Sequence, residues 1–302
     1  VSKEWDEATT SAAIEVAGKV FDDLDRLSGS RDKADNRSDK LRSFSERFVE
    51  RAFRRPLSDE QKTFYVGGQF EKADNAETAV RRIVMLALKS PRFLYREAGG
   101  ENDAFDVAAR LSFGLWDTLP DNQLWNGASS KSLDRRDQVS RTAERMVQDP
   151  RSRVKLQQFF HQWLKVDDID DVSKDTELFP GFDETLLSDL RTSIELTIDD
   201  FVSREKPDLR DLLQTPDLFL NGRLAAFYRA DQPADAPFQK VAFEPDVRSG
   251  VFSHPFLMTG FAYYASSSPI HRGVFISRSI LGRSLKPPAE AITPIPPDLH
   301  PD

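Results

Sequence analysis

The chain has 302 residues, 39% of them apolar with 22 Phe and 4 Trp, and 30% charged with a formal net charge of −8. Such a composition supplies a packed interior for one large domain or a few smaller ones, and a wet exterior. The arginines are interleaved with Asp and Glu, which argues against a nucleic-acid footprint. The longest apolar run, Ile83–Leu88, is far short of the roughly 20 residues a membrane helix needs. The absence of cysteine excludes thiolate catalysis, Cys-ligated zinc, disulfides and covalent haem attachment within these residues.

The periodicity is mostly helical. An amphipathic stretch from Trp5 to Leu27 comes first, then a charged connector, "SGSRDKADNRSDK", that reads as a mobile loop. A second helix covers Leu41 to Phe53. Pro56 forbids its continuation, and Ser58 with Gln61 forms a capping box for the next helix. Asp74 and Glu77 mark a further start, followed by Val80, Ile83, Val84, Ala87 and Leu88 on one buried face. That helix ends at Ser90-Pro91. Helices are expected again at Phe105–Trp116, Leu133–Val147 and Arg151–Leu164. The longest runs from Asp183 to Arg204, with Leu187, Leu190, Ile194, Ile198 and Phe201 aligned. Shorter ones follow at Leu209–Leu213 and Pro216–Tyr228. Between Phe238 and Phe252 β-branched and aromatic residues surround Pro245, a pattern that suits a small hairpin. The last sixteen residues hold six prolines and predict an extended arm from Lys286 onward. The expected fold class is all-α, with at most a small β-hairpin near 238–252 and this proline-rich arm.

Chemistry-bearing residues are few. In "SSSPIHRGVFISRSILGR", Ser268 predicts an N-cap and Pro269 the first helical position, placing His271 in the first turn of a helix running to Gly282. The stripe Ile270, Val274 and Leu281 would face inward. His271 and Arg272 then stand at the positive end of the helix as an anion cradle that suits a haem propionate, a partner's carboxylate or a sugar acid. An ordinary capped helix explains the same residues. His254 in "VFSHPF" suits a haem axial ligand, an acid/base or a turn histidine packed on a ring; Tyr263 and Tyr264 lie between it and His271. His161 borders an apolar face, and His300 lies on the arm. Glu195 and Asp199, four apart, read as metal ligands, an acid/base pair or a solvated face offset by Arg191. No metal site is expected from spacing. There is no G-x-S-x-G, G-x-G-x-x-G, P-loop or H-E-x-x-H pattern, which removes most nucleotide-dependent and hydrolase chemistry.

Several stretches recur in a recognisable order: "FVERAFRRPLSDEQ", "SPRFLYRE", "FDVAARLSFGLWDTLPDNQLW", "DPRSRVKLQQFFHQWLKV", "LFPGFDETL", "FLNGRLAAFY" and the serine-rich segment above. From Leu41 to the C-terminus the chain resembles the planctomycete-type exported proteins built from consecutive cytochrome-associated domains of unknown function. The resemblance implies an N-terminal helix and linker at 1–40, family domains at 41–100 and 101–230, and the start of a third at 241–302. It implies export, with any signal upstream of Val1, and a C-x-x-C-H segment carrying c-type haem after Asp302. The expected partner is that haem-bearing segment or a separate cytochrome, and residues His271, Arg272 and His254 would lie toward it. A cofactor-free enzyme acting on extracellular polysaccharide and a pure interaction scaffold are the alternative readings. Neither an activity nor an oligomeric state follows from the sequence.

Overall fold

The computed structural model describes residues 2–31, 35–95, 103–170, 172–244 and 248–286, and divides into two compact units, Val1–Ser152 and Arg153–Asp302. The expected class holds. The described residues are mainly helical with one two-stranded antiparallel sheet.

In the first unit the expected opening helix is two: α1 (Lys3–Asp22) and α2 (Leu24–Ser28), broken where Asp23 leaves helical geometry at φ −102°, ψ 12°. Gly29 stops α2 with φ +64°, a left-handed conformation that glycine adopts without strain. The charged connector is shorter than its composition suggests, because α3 (Arg37–Phe53) already begins at Arg37. Arg37 bonds Asp25 and Glu77 at 2.6 Å each, and the Lys40 ammonium donates to the Gly29 carbonyl at 2.7 Å. Charges that read as loop are therefore holding a helix start in place; residues 32–34 lie outside the described residues.

The Ser58–Gln61 capping box forms with both halves and opens α4 (Asp59–Lys62). A π-turn over 63–67 and α5 (Gly68–Lys72) lead to α6 (Ala76–Lys89), whose N-cap is Asn75 rather than Asp74. Ala79, Val80, Ile83, Val84 and Ala87 are buried on α6, and the last four pack with Leu41, Phe44, Val49 and Phe53 of α3 and Ala17 of α1. Ser90 ends α6 and caps α7 (Pro91–Leu94).

The arginine pair in "FRRPLS" accounts for itself structurally. Arg54 is 5% exposed at φ +61° and donates to the carbonyls of Ala52, Arg92, Phe93 and Tyr95. Arg55 reaches Asp106 at 2.8 Å and Asp103 at 3.4 Å, at the start of α8 (Ala104–Leu115). A third core patch joins α8, α9 (Asn122–Ser129) and α10 (Arg136–Val147) around Trp116, whose indole N–H donates to the Met146 carbonyl at 3.0 Å. A short 3₁₀ turn occupies 132–134, where α10 was expected to begin.

The boundary between units falls inside α11 (Pro150–Trp163). The spine of the second unit is α12 (Glu184–Val202), with Leu186, Leu190, Ile194, Ile198 and Phe201 buried; Leu187 lies at the margin. After α13 (Leu209–Gln214) the chain forms β1 (Asp217–Leu220), not the first turns of a helix. Leu218 and Leu220 alternate inward with period two, and a short Leu/Phe run does not by itself tell strand from helix. Asn221 then caps α14 (Gly222–Tyr228), accepting the Leu224 amide at 2.9 Å. A second strand, β2 (Gln239–Ala242), falls in the stretch expected to hold the hairpin. Its partner lies earlier in the chain, with Leu218 opposite Val241 and Leu220 opposite Gln239.

Val251, Phe256 and Leu257, around the start of α15 (Pro255–Gly260), and Phe275 at the end of α16 (Pro269–Phe275) complete this core. The helix expected to reach Gly282 passes into a π-turn over 276–280. Phe275 is buried, and Ile276 and Ile280 pack partly buried against the core. Ile270, expected inside, is exposed in the first turn, and Leu281, also expected inside, is exposed after the extra residue of the π-turn. The expected arm lies outside the described residues beyond Lys286.

Candidate functional site

On α12 the residues Asp189, Ser193 and Thr197 follow one another at i, i+4 and are all buried. This polar stripe runs beside the apolar spine, so each group must find a partner. Thr197 donates to the Ser193 carbonyl at 2.9 Å. Arg223 of α14 grips Asp189 with Nε and Nη2, both at 2.7 Å. Burial raises the Asp189 carboxyl, but Arg223 and Asn221 outweigh it and hold the group below the ordinary carboxylate value.

Ser193 meets His254, its Oγ 3.2 Å from Nε2. A serine beside an imidazole invites comparison with a nucleophile and its base. The rest of the geometry reverses the roles. His254 is the N-cap of α15, and its Nδ1 accepts the Phe256 amide at 3.2 Å. With Nδ1 accepting, the ring proton sits on Nε2, so His254 donates to Ser193 and cannot take its proton. The ring is 1% exposed. Burial, with the Arg248 charge second, pushes its pKa down to about 3. His254 is a neutral structural cap with both nitrogens engaged, leaving no free lone pair for a haem iron.

His271 stands elsewhere. Its ring tilts against Tyr263, with centroids 5.1 Å apart at 60°, and it is exposed. Ser268 caps α16 as expected, accepting the His271 amide at 3.2 Å. That cap, and the missing N–H of Pro269, leave fewer first-turn amides for an anion than the sequence suggested. Arg272 is half-buried and its Nε lies 3.5 Å from the Ser268 carbonyl. The loop before α16 is clasped to an earlier segment. Lys174 donates to the carbonyls of Ala262 and Tyr263 at 3.2 and 2.9 Å, and the Asp175 amide to Tyr264 at 3.2 Å. Burial lowers the Lys174 ammonium pKa.

The remaining candidates have ordinary partners. His161 lies 3.3 Å from Asp167. Asp199 takes Arg153 and Gln157, whereas Glu195 is exposed. Arg191, expected to offset that pair, instead bonds Asp170 at 3.0 Å and the Ile169 carbonyl. His300 lies outside the described residues. Among the described residues no cluster of His, Asp or Glu is arranged to hold a metal ion. An open concavity lined by Asp170, Val172, Ser173, Glu184, Leu187, Ser188 and Arg191 contains neither His254 nor His271.

The Asp189–Arg223 and Ser193–His254 pairs were not found in the sequence. Buried polar residues on a long helix carry the same pattern as a solvated face, and their partners lie 34 and 61 residues away.

Three sequence families match in succession. PSD5, a protein of unknown function (DUF1595), covers residues 40–97; PSD4, a protein of unknown function (DUF1592), covers 103–229. PSCyt3, a protein of unknown function (DUF1588), covers 248–302. This succession of three domains matches the multi-domain architecture of the planctomycete-type proteins that the sequence resembles. No curated protein and no solved structure matches it.

The family limits and the folding units differ. The PSD4 match straddles the division at residues 152 and 153, and its second half shares one core with the opening of the PSCyt3 match.

Proposed function

We propose that this chain is a helical, non-catalytic module of an exported c-type-haem-associated protein. It packs against, and shapes the pocket of, a redox domain encoded after these residues or carried by a partner cytochrome. The observation that carries this reading is the order of the three family matches, with PSCyt3 last. Redox chemistry would belong to the haem, while these residues supply burial, orientation and charge. Cysteine is absent, so no covalent haem is held here. His271, exposed beside Tyr263, and the half-buried Arg272 would face the partner. His254 would act from within by holding α15. No described helix is long and apolar enough to cross a membrane.

The enzyme alternative loses support at Ser193–His254, where the proton is on the wrong nitrogen for general-base work. The test is an absorption spectrum of the full-length, natively exported protein. The reading expects a Soret band with α and β bands, lost when the region after Asp302 is deleted. A featureless spectrum from protein that binds no cytochrome would refute it.

A further inference from the structure

The arginines of this protein show a repeated habit. Arg135, Arg151, Arg153, Arg210 and Arg223 each present the Nε/Nη2 edge of the guanidinium to a carboxylate. This edge carries two parallel N–H groups at the spacing of carboxylate oxygens.

Among the described residues, no carboxylate meets the same edge of Arg248. Its Nη1 donates to the Ser253 carbonyl at 2.8 Å, which fixes the head group. The guanidinium carbon lies 5.4 Å from the Phe243 ring and 5.7 Å from the Tyr228 ring, so two aromatic walls flank it. Nε is buried without a hydrogen-bond partner, and no described carboxylate pairs with Nη2. A buried, unsatisfied N–H on a charged group is costly to leave unmade. Burial also lowers the Arg248 pKa, the direction expected of a cation with no anion beside it.

We infer that the Nε/Nη2 edge of Arg248, walled by Tyr228 and Phe243, is a receptor for a carboxylate. A carboxylate matches the two parallel donors; chloride, a single point acceptor, does not. The inference is independent of the haem-associated reading, since any chain or small acid could present the group.

The side-chain Nε–H signal of Arg248 can be followed by ¹H–¹⁵N NMR of the whole chain, assigned by its loss in Arg248→Lys. The titrants are sodium acetate, with sodium chloride at equal ionic strength as the control. A saturable downfield movement with acetate and none with chloride supports a receptor open to an outside carboxylate. No response to acetate, or the same response to chloride, overturns the inference.

Discussion

Phe256 offers the sharpest test of how the second unit is built. It belongs to the PSCyt3 match, as do Val251, Leu257 and Phe275, yet it is 0% exposed in a core whose remaining members, from Phe160 to Ala225, belong to the PSD4 match. Phe256→Ala removes a buried ring and leaves a cavity in a layer closed by Leu257 and the α12 spine. Such truncations cost about 3–5 kcal/mol. Arg191 also stands 5.3 Å from the ring centroid, and loss of that cation–π contact adds about 0.5–1 kcal/mol. A useful reporter is Trp163, which lies in the PSD4 match and donates to the Ser279 carbonyl at 2.7 Å. With fluorotryptophan in the protein, ¹⁹F NMR during urea unfolding resolves Trp163 from Trp5, Trp116 and Trp125. The expected result is a Trp163 transition moved to lower urea by the full destabilisation, with slope unchanged. If Trp163 keeps its wild-type midpoint while a separate, earlier transition reports the loss of Phe256, the shared core is wrong.

The remaining expectations concern the polar stripe and one glycine. The His254 pKa is about 3 folded and about 6.5 unfolded, so the unfolded chain binds the proton first as pH falls. The neutral ring's contribution is complete above pH 6.5, shrinks by about 2 kcal/mol by pH 5, and is exhausted near pH 3; His254→Asn, which keeps a cap, should flatten that part of a stability-against-pH curve. Arg223→Met should cost more than Asp189→Asn in chemical denaturation, about 2–4 against about 1 kcal/mol, because only the first leaves a buried carboxylate unpaired. Equal costs would count against the Asp189 burial. Gly250→Ala should leave the second unit largely unfolded by circular dichroism, since φ is +66° and a Cβ would fall 1.9 Å from the Leu213 carbonyl oxygen.

Where a rule of local chemistry was at work, the fold was legible. The Ser58–Gln61 box, the Ser268-Pro269 start and the α6 stripe each depend on neighbours within a turn or two, and each stands as read. What escaped was set at a distance. The β1 strand exists because β2 lies beside it, about twenty residues on. The inward face of α16 is set by Phe275, not Ile270, because the core it meets is built from distant residues, and the π-turn at 276–280 then adds a residue before Leu281 that no 3.6-residue wheel contains. Of the candidate residues, the sequence drew attention to histidines because imidazoles are rare here. It could not show that His254 would spend both nitrogens inside the core, since that depends on Ser193, 61 residues earlier.

The mismatch between family limits and folding units bears on how the module works. A family boundary marks where related sequences begin and end together; a core marks where water is excluded. Here the opening of the third match contributes Val251, Phe256, Leu257 and Phe275 to the layer around α12, and Gly250 packs so closely on Leu213 that no side chain fits between them. Residues 248–286 are thus a wall of the second unit, held by hydrophobic burial, by the Trp163–Ser279 bond and by the Lys174 clasp. A haem-bearing segment joined after them would start from a fixed base, which is what positioning a cofactor requires. A fragment cut at the family boundary, ending near residue 229, would expose the α12 face, and its second unit should fail to fold, whereas a cut after Lys286 keeps every described wall of that core.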